Sequence, residues 1–431
     1  MISATAASDP PPITKGQVTA AVVGNALEFY DFTIYALFAS QIGHTFFPSK
    51  SHFMEIMLSL ATFGVGFFPR PIGSLVIGRY ADRHGRRPAM LLSFALMGVG
   101  ILGLALTPSY ARIGVMAPIL VVLWRLCQGF AVGGEVGSTT AFLVEAAPPL
   151  KRGIYACWQA VSQNLAFITG GLVGLALSSF LGSVALDAWG WRIAFGLGAV
   201  ILPFGIYLRR GLPETLHHQE IVTRHQPASP TLGSHRRIIA LGLALIAAST
   251  VSTYILTYMT VYARESLGMG ANLSLATQIA NGGAGAVFGL LGGILADRFG
   301  RKVLLIWPRL VLIVAIWPVF YLMGKYPGPV TLLGGIALIA GSAALSSAAL
   351  YTAITESMRK EVRGLAFGGI YATSVAVFGG TTGNVVHWLI SVTHNPMAPT
   401  WYVMAFAIAG LIASLLIHET APAVVPHAST I

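Results

Sequence analysis

Twelve long apolar runs separated by short polar connections make up most of this chain. They cover 17–40, 53–80, 88–107, 113–145, 152–181 and 190–210, then 237–263, 273–296, 302–322, 328–356, 363–390 and 399–418. A helix needs about 20 residues to cross roughly 30 Å of hydrocarbon. The pattern therefore predicts an all-α membrane protein with twelve transmembrane helices. Polar stretches divide it. Residues 1–16 read as a loose tail, 211–236 (with Pro213, Pro227 and Pro230) as a linker, and 419–431 as a second tail. Between them lie two expected six-helix bundles, 17–210 and 237–418.

The polar connections repeat. Residues 78–88 read GRYADRHGRRP and 293–302 read GILADRFGRK, at an offset of 215. Glu145 is followed at Arg152-Gly153, and Glu356 at Arg363-Gly364, with the same spacing. Glu214-Thr215 and Glu419-Thr420 form a third, weaker echo. Correspondences in one order across both halves indicate two parallel six-helix repeats.

Composition agrees and removes other classes. The chain is 55% hydrophobic and 10% charged, with a mean hydropathy of +0.74; soluble domains carry about 25% charged residues. The net charge of +11 does not mark a nucleic-acid binder, because its distribution is topological. With the N-terminus inside, 18 of the 26 Lys and Arg fall in the tail and inner connections, and five in outer ones. That bias predicts both termini in the cytoplasm. Cys127 and Cys157 lie inside apolar runs and read as packing residues. No metal cluster, catalytic triad or Walker motif is present, so neither a cofactor, an enzyme nor an ATP-driven pump is expected. GGAGAVFG at 282–289 lies in an apolar run and follows no strand. Gly285, Gly289 and Gly293, like Gly129, Gly133 and Gly137, instead place small residues on one helix face for close packing.

Charges inside the runs are the sharper signal, because each costs about 2.5–3.5 kcal/mol to insert. By helical rise, Glu28 lies roughly 17 Å along the first run, Arg70 roughly 15 Å from one end of the second and Arg125 roughly 18 Å into the fourth. All three fall near the bilayer midplane. Asp31 is one turn from Glu28, and Glu135 lies further along the fourth run. Mutual neutralisation as structural pairs is the plainer reading. Against it, the repeat-equivalent positions of Arg70, Arg125 and Glu135 are Gly285, Ile336 and Ser346, so only one half carries the charges. A guanidinium fork suits carboxylates, which makes Arg70 and Arg125 candidate anion ligands. Burial favours the protonated carboxyl and a nearby arginine the ionised one, which makes Glu28, Asp31 and Glu135 candidate proton carriers. Gln128, Gln159, Gln163, Tyr254 and Tyr258 are further candidates for the substrate surface. Arg309 and His387 are buried groups without an assigned role.

GNALEFYDFTIY (24–35), RPIG (70–73), RLCQGFAVGGE (125–135) and WGWRIAF (189–195), with the doubled clasp, resemble the major facilitator superfamily and its metabolite:proton symporter family. YLRRGLPET (207–215) and WQAVSQ (158–163) look most like citrate– and tricarballylate–proton symporters. The resemblance implies alternating access in a bacterial inner membrane, by a chain functional as a monomer, with a small organic anion and protons as partners. It implies a conformational gate at Asp82, Arg83, Gly85 and Arg86 and at Asp297, Arg298, Gly300 and Arg301. Glu145 with Arg152, and Glu356 with Arg363, are expected as ion pairs of that gate, and Arg192 is placed on the substrate path or at the interface. Another solute (an oxo acid, a dicarboxylate, a betaine-like osmolyte), drug:proton antiport and a non-transporting sensor or channel remain as alternatives.

Overall fold

The computed structural model describes residues 15–84, 86–133, 140, 143–144, 147–210, 236–358 and 360–425. No strand occurs among them. Spans one to six are carried by Lys15–Leu37 with Ala39–Phe46, His52–Val65 with Arg70–His84, Arg86–Leu106, Met116–Val132, Arg152–Ala185 and Trp191–Arg210. Spans seven to twelve are Arg236–Val261, Ala271–Phe299, Arg301–Lys325, Pro329–Glu356, Lys360–Ser374 with Gly380–Thr393, and Ala398–Leu416. Eight of these spans, two and five and seven to twelve, contain a helical stretch long and apolar enough to cross a membrane. Large apolar side chains such as Phe180, Val314 and Val330 stand fully outward. A helical bundle that is apolar outside as well as inside belongs in lipid.

Span two differs from the uninterrupted helix expected over 53–80. It breaks between Val65 and Arg70, and a new helix begins at Arg70. Pro69 and Pro71 explain the break, since each lacks an N–H and clashes with the carbonyl four residues back. Three single turns of π-helix occur: Leu186–Gly190 between spans five and six, Tyr262–Ser266 at the end of span seven, and Val375–Gly379 inside span eleven. No pattern of apolar positions announces them.

Glycine sets the approach of the spans. A Cβ on Gly129 would strike the carbonyl of Gly66, one on Gly133 that of Arg70, and one on Gly73 that of Phe130. Spans two and four therefore run backbone against backbone. Between the halves, Gly293 lies 3.0 Å (ideal Cβ to Sγ) from Cys157, and Gly285 presses on the Asn164 side chain. The glycine stripe of span eight is thus the seam against span five. Gly64 of span two and Gly380 of span eleven meet likewise. The expected packing role of Gly129, Gly133, Gly285 and Gly293 is what the structure shows; Gly137 lies outside the described residues.

Candidate functional site

The break in span two builds the site. It leaves room at Gly66, where an added Cβ would lie 3.3 Å from Nη2 of Arg125. Arg125 enters from span four, and Arg70 starts the second segment of span two. Both guanidinium groups are buried and both lie over the ring of Phe32, at 4.9 and 4.7 Å. Arg70 also covers Phe67 at 4.1 Å, and Arg125 covers Tyr35 at 4.5 Å and Phe63 at 5.2 Å. Aromatic faces attract cations without consuming N–H donors. They hold two like charges in one apolar place and leave the forks available.

Span one supplies the acids. Arg125 Nη1 donates to Gln128 Oε1 at 2.8 Å and reaches Asp31 Oδ2 at 3.4 Å. Glu28 is buried on the same helix and acts electrostatically on Arg70. Nε and Nη2 of Arg70, Nε and Nη2 of Arg125, and the amide nitrogens of Gln128 and Gln163 have no hydrogen-bond partner among the described residues. The matching acceptors are Asp31 Oδ1 and Gln159 Oε1. Donors outnumber acceptors here, and unpaired buried donors cost about 1–3 kcal/mol each.

Around this pair the candidates sort themselves. Gln159 donates to Asn25 at 3.1 Å, and Asn25 donates to Ser162 at 2.6 Å, tying span five to span one. Gln163 faces Tyr371 across the halves, and Tyr371 lies within electrostatic reach of Arg70. Tyr254 packs on Phe67 at 5.4 Å and closes the site from the second half. Tyr258 stands apart from the arginines. Its hydroxyl meets His387 Nδ1 at 2.8 Å, beneath the Phe53 ring. With Tyr254 it lines a cavity of about 20 Å³, large enough for water and too small for an organic acid. Arg192 lies away from the arginine pair. It donates to the Thr107 carbonyl at 3.1 Å and lies over Trp191 at 4.3 Å.

Contacts cross between the halves at both ends. At the clasp end, Asp297 accepts from the backbone of Gly153 at 2.7 Å and Ile154 at 2.9 Å. A carboxylate at a helix N-terminus meets its unpaired N–H groups and positive dipole. Asp297 also pairs with Arg301 at 2.6 Å, and Glu356 takes Arg301 and, from the other half, Arg152, both at 3.4 Å. Glu419 accepts from the backbone of Arg301 and Lys302 at 2.9 Å, and Thr420 donates to Glu356 at 2.7 Å. Gly300 adopts φ +102 where a Cβ would meet Glu419. Arg298 is exposed over Phe299. The side chains of Asp82, Arg83, Arg86 and Arg363, with Gly85, Glu135 and Glu145, lie outside the described residues. At the far end, Arg264 grips Asp187 with two bonds of 2.9 and 3.2 Å, and His52 bridges Glu55 at 3.4 Å and Glu265 at 3.0 Å. The aromatic cradle, Tyr371, Asn25 and this far-end bridge were not found from sequence. Only the RPIG and LEFYDF motifs hinted at the first.

The family model described as Major Facilitator Superfamily matches residues 21–383. The chain belongs to the major facilitator superfamily. Within it, citrate-proton symporters from Salmonella typhi and Klebsiella pneumoniae are 35% and 34% identical to this chain, over 94% of it and 94% and 92% of their own lengths. In fold, this superfamily member is similar to the xylose transporter XylE from E. coli. The TM-score is 0.75 at 18% identity, over 94% of this chain and 98% of that one. It is a multi-pass membrane transporter and not an enzyme.

Proposed function

We propose that this transporter takes up a small di- or tricarboxylate, citrate or tricarballylate in the first place, together with protons. The observation that carries the proposal is the excess of buried, unpartnered N–H donors on Arg70, Arg125, Gln128 and Gln163. Such a surface fits a ligand made of acceptors. The names of the citrate-proton symporters, similar over nearly the whole chain, support the same solute class. Drug:proton antiport fits poorly, because two guanidinium groups repel lipophilic cations.

Coupling follows from competition. Asp31 and Glu28 partly balance Arg125 and Arg70 while no anion is bound. A substrate carboxylate that takes the arginine N–H groups displaces the acids from their counter-charge, and a proton on Asp31 or Glu28 removes the resulting repulsion. Glu135 is proposed as a third carrier. Protons are also needed energetically. Importing three negative charges against 100 mV costs roughly 7 kcal/mol, and each co-transported proton offsets one charge.

The two sets of cross-half contacts open in turn, which gives alternating access. The clasp end, with its Lys and Arg excess, is proposed as the cytoplasmic side of a bacterial inner membrane, with both termini inside and the monomer as the working unit. Arg152 and Glu356 strengthen that gate, with Asp82, Arg83, Gly85, Arg86, Glu145 and Arg363 as its first-repeat and span-eleven parts. Uptake into proteoliposomes under an imposed pH gradient, across a panel of carboxylates, betaine and proline, tests the proposal. Accumulation of a tricarboxylate above its outside concentration is expected. Uptake of betaine or proline with no carboxylate transported would replace the anion reading by the osmolyte one.

A further inference from the structure

Arg309 is a buried cation of the second half and, unlike the equally buried Arg301, it has no acid beside it among the described side chains. It lies eight residues into span nine, roughly 12 Å from its start by helical rise, and only 5% of it is exposed. Nη2 donates to the Leu245 carbonyl at 3.3 Å, and Nη1 has no partner among the described residues. Span twelve makes way for it at Gly410, where an added Cβ would run into Nη1.

No carboxylate balances this charge among the described side chains. Among the described side chains the acids of the second half are Glu265, Asp297, Glu356 and Glu419, and each is engaged at a helix end. The contrast with Arg70 and Arg125, which have acids on span one, is direct. A buried cation left without counter-charge is strongly destabilising.

Arg309 borders a cavity of about 10 Å³ between spans seven, nine, ten and twelve, lined by Ser249, Ser252, Ser342 and Ser346. Ser252, Ser342 and Ser346 now donate to carbonyls of their own helices at 3.0, 2.8 and 2.9 Å. Those carbonyls belong to continuous helix, so the hydroxyl protons are free to turn towards another acceptor. The space suits one water-sized particle and excludes phosphate, sulfate or a carboxylic acid.

We propose that this pocket is a site for a monatomic anion, chloride, held by the Arg309 guanidinium and the facing serine hydroxyls. The bound ion neutralises the second-half core and fastens spans seven, nine, ten and twelve to one another. It is separate from the substrate site and does not depend on the substrate's identity.

The test is thermal unfolding of the purified transporter in lipid nanodiscs, in sodium chloride against sodium gluconate at equal ionic strength. The midpoint is expected to rise and saturate with chloride, with bromide replacing chloride. Arg309→Gln is expected to abolish the dependence, and Ser252→Ala to raise the half-saturating chloride several-fold. Equal midpoints in chloride and gluconate overturn the proposal, as does a chloride response retained in Arg309→Gln. If Arg309→Gln does not fold, crystals grown in bromide decide. An anomalous peak beside Arg309 supports the site, and its absence there overturns it.

Discussion

Replacing Asp297 by Asn isolates one of the contacts that join the halves at the clasp end. Its carboxylate accepts from Gly153 and Ile154 of span five at 2.7 and 2.9 Å, whereas Arg301 is a partner within its own half. Only the first two bonds are lost when the clasp end opens, so only they bias the conformational equilibrium. Hydrogen bonds to a charged group contribute about 1.5–3 kcal/mol each. An amide keeps one neutral acceptor and turns an N–H towards the other donor. The net loss is about 2 kcal/mol, or roughly a 30-fold shift towards the opened state. The protein contains its own reporter: Cys157 is buried on span five, 3.0 Å (Sγ to an ideal Cβ) from Gly293 of span eight. With Cys127 changed to Ser, maleimide labelling of Cys157 should accelerate roughly 30-fold in Asp297→Asn, the population ratio given above. Unchanged labelling in a folded, membrane-inserted variant would refute Asp297 as a gate contact.

Other consequences are as specific. Arg125→Lys keeps the charge but loses the unpartnered Nε and Nη2 donors; half-saturating substrate should rise about 30-fold for a loss of about 2 kcal/mol, measured by uptake. Arg264→Gln removes both bonds to Asp187 and should favour opening at the far end, read as faster labelling of a cysteine placed at Ser40, with Cys157 labelling slowed. Gly129→Val should force spans two and four apart where the Gly66 carbonyl now lies, cost more than the 1–3 kcal/mol usual for overpacking, and lower the thermal unfolding midpoint.

Much of this architecture was legible because lipid penalises departures from a simple rule. Spans appear as apolar runs, and any ionisable group within one is expensive enough to stand out, which is how Arg70, Arg125, Glu28 and Asp31 were found. Glycine spacing named the seams at Gly129 and Gly285, because small residues are what close helix packing needs. The break at Gly66–Pro69 was missed although Pro69 and Pro71 announce it. Apolarity continues through the break, so hydropathy does not register it. Phe32, Phe63 and Phe67 could not be told from ordinary packing aromatics. Their role exists only once three helices place two guanidinium groups on them. Arg152 with Glu356, Arg264 with Asp187, and Glu419 over the start of span nine join residues distant in sequence. No local period records such pairs.

The central claim is that an anion bound by the arginine pair and a proton on the span-one acids are coupled at one site. It is tested most directly by counting protons taken up per citrate in proteoliposomes carrying an internal pH dye, for the native protein, Asp31→Asn, Glu28→Gln and the double variant. The account predicts proton uptake with each citrate in the native protein. In at least one of these variants it predicts fewer protons per citrate, and citrate exchange that continues without uphill accumulation. An unchanged proton count, with uphill accumulation intact, in Asp31→Asn, in Glu28→Gln and in the double variant would contradict it.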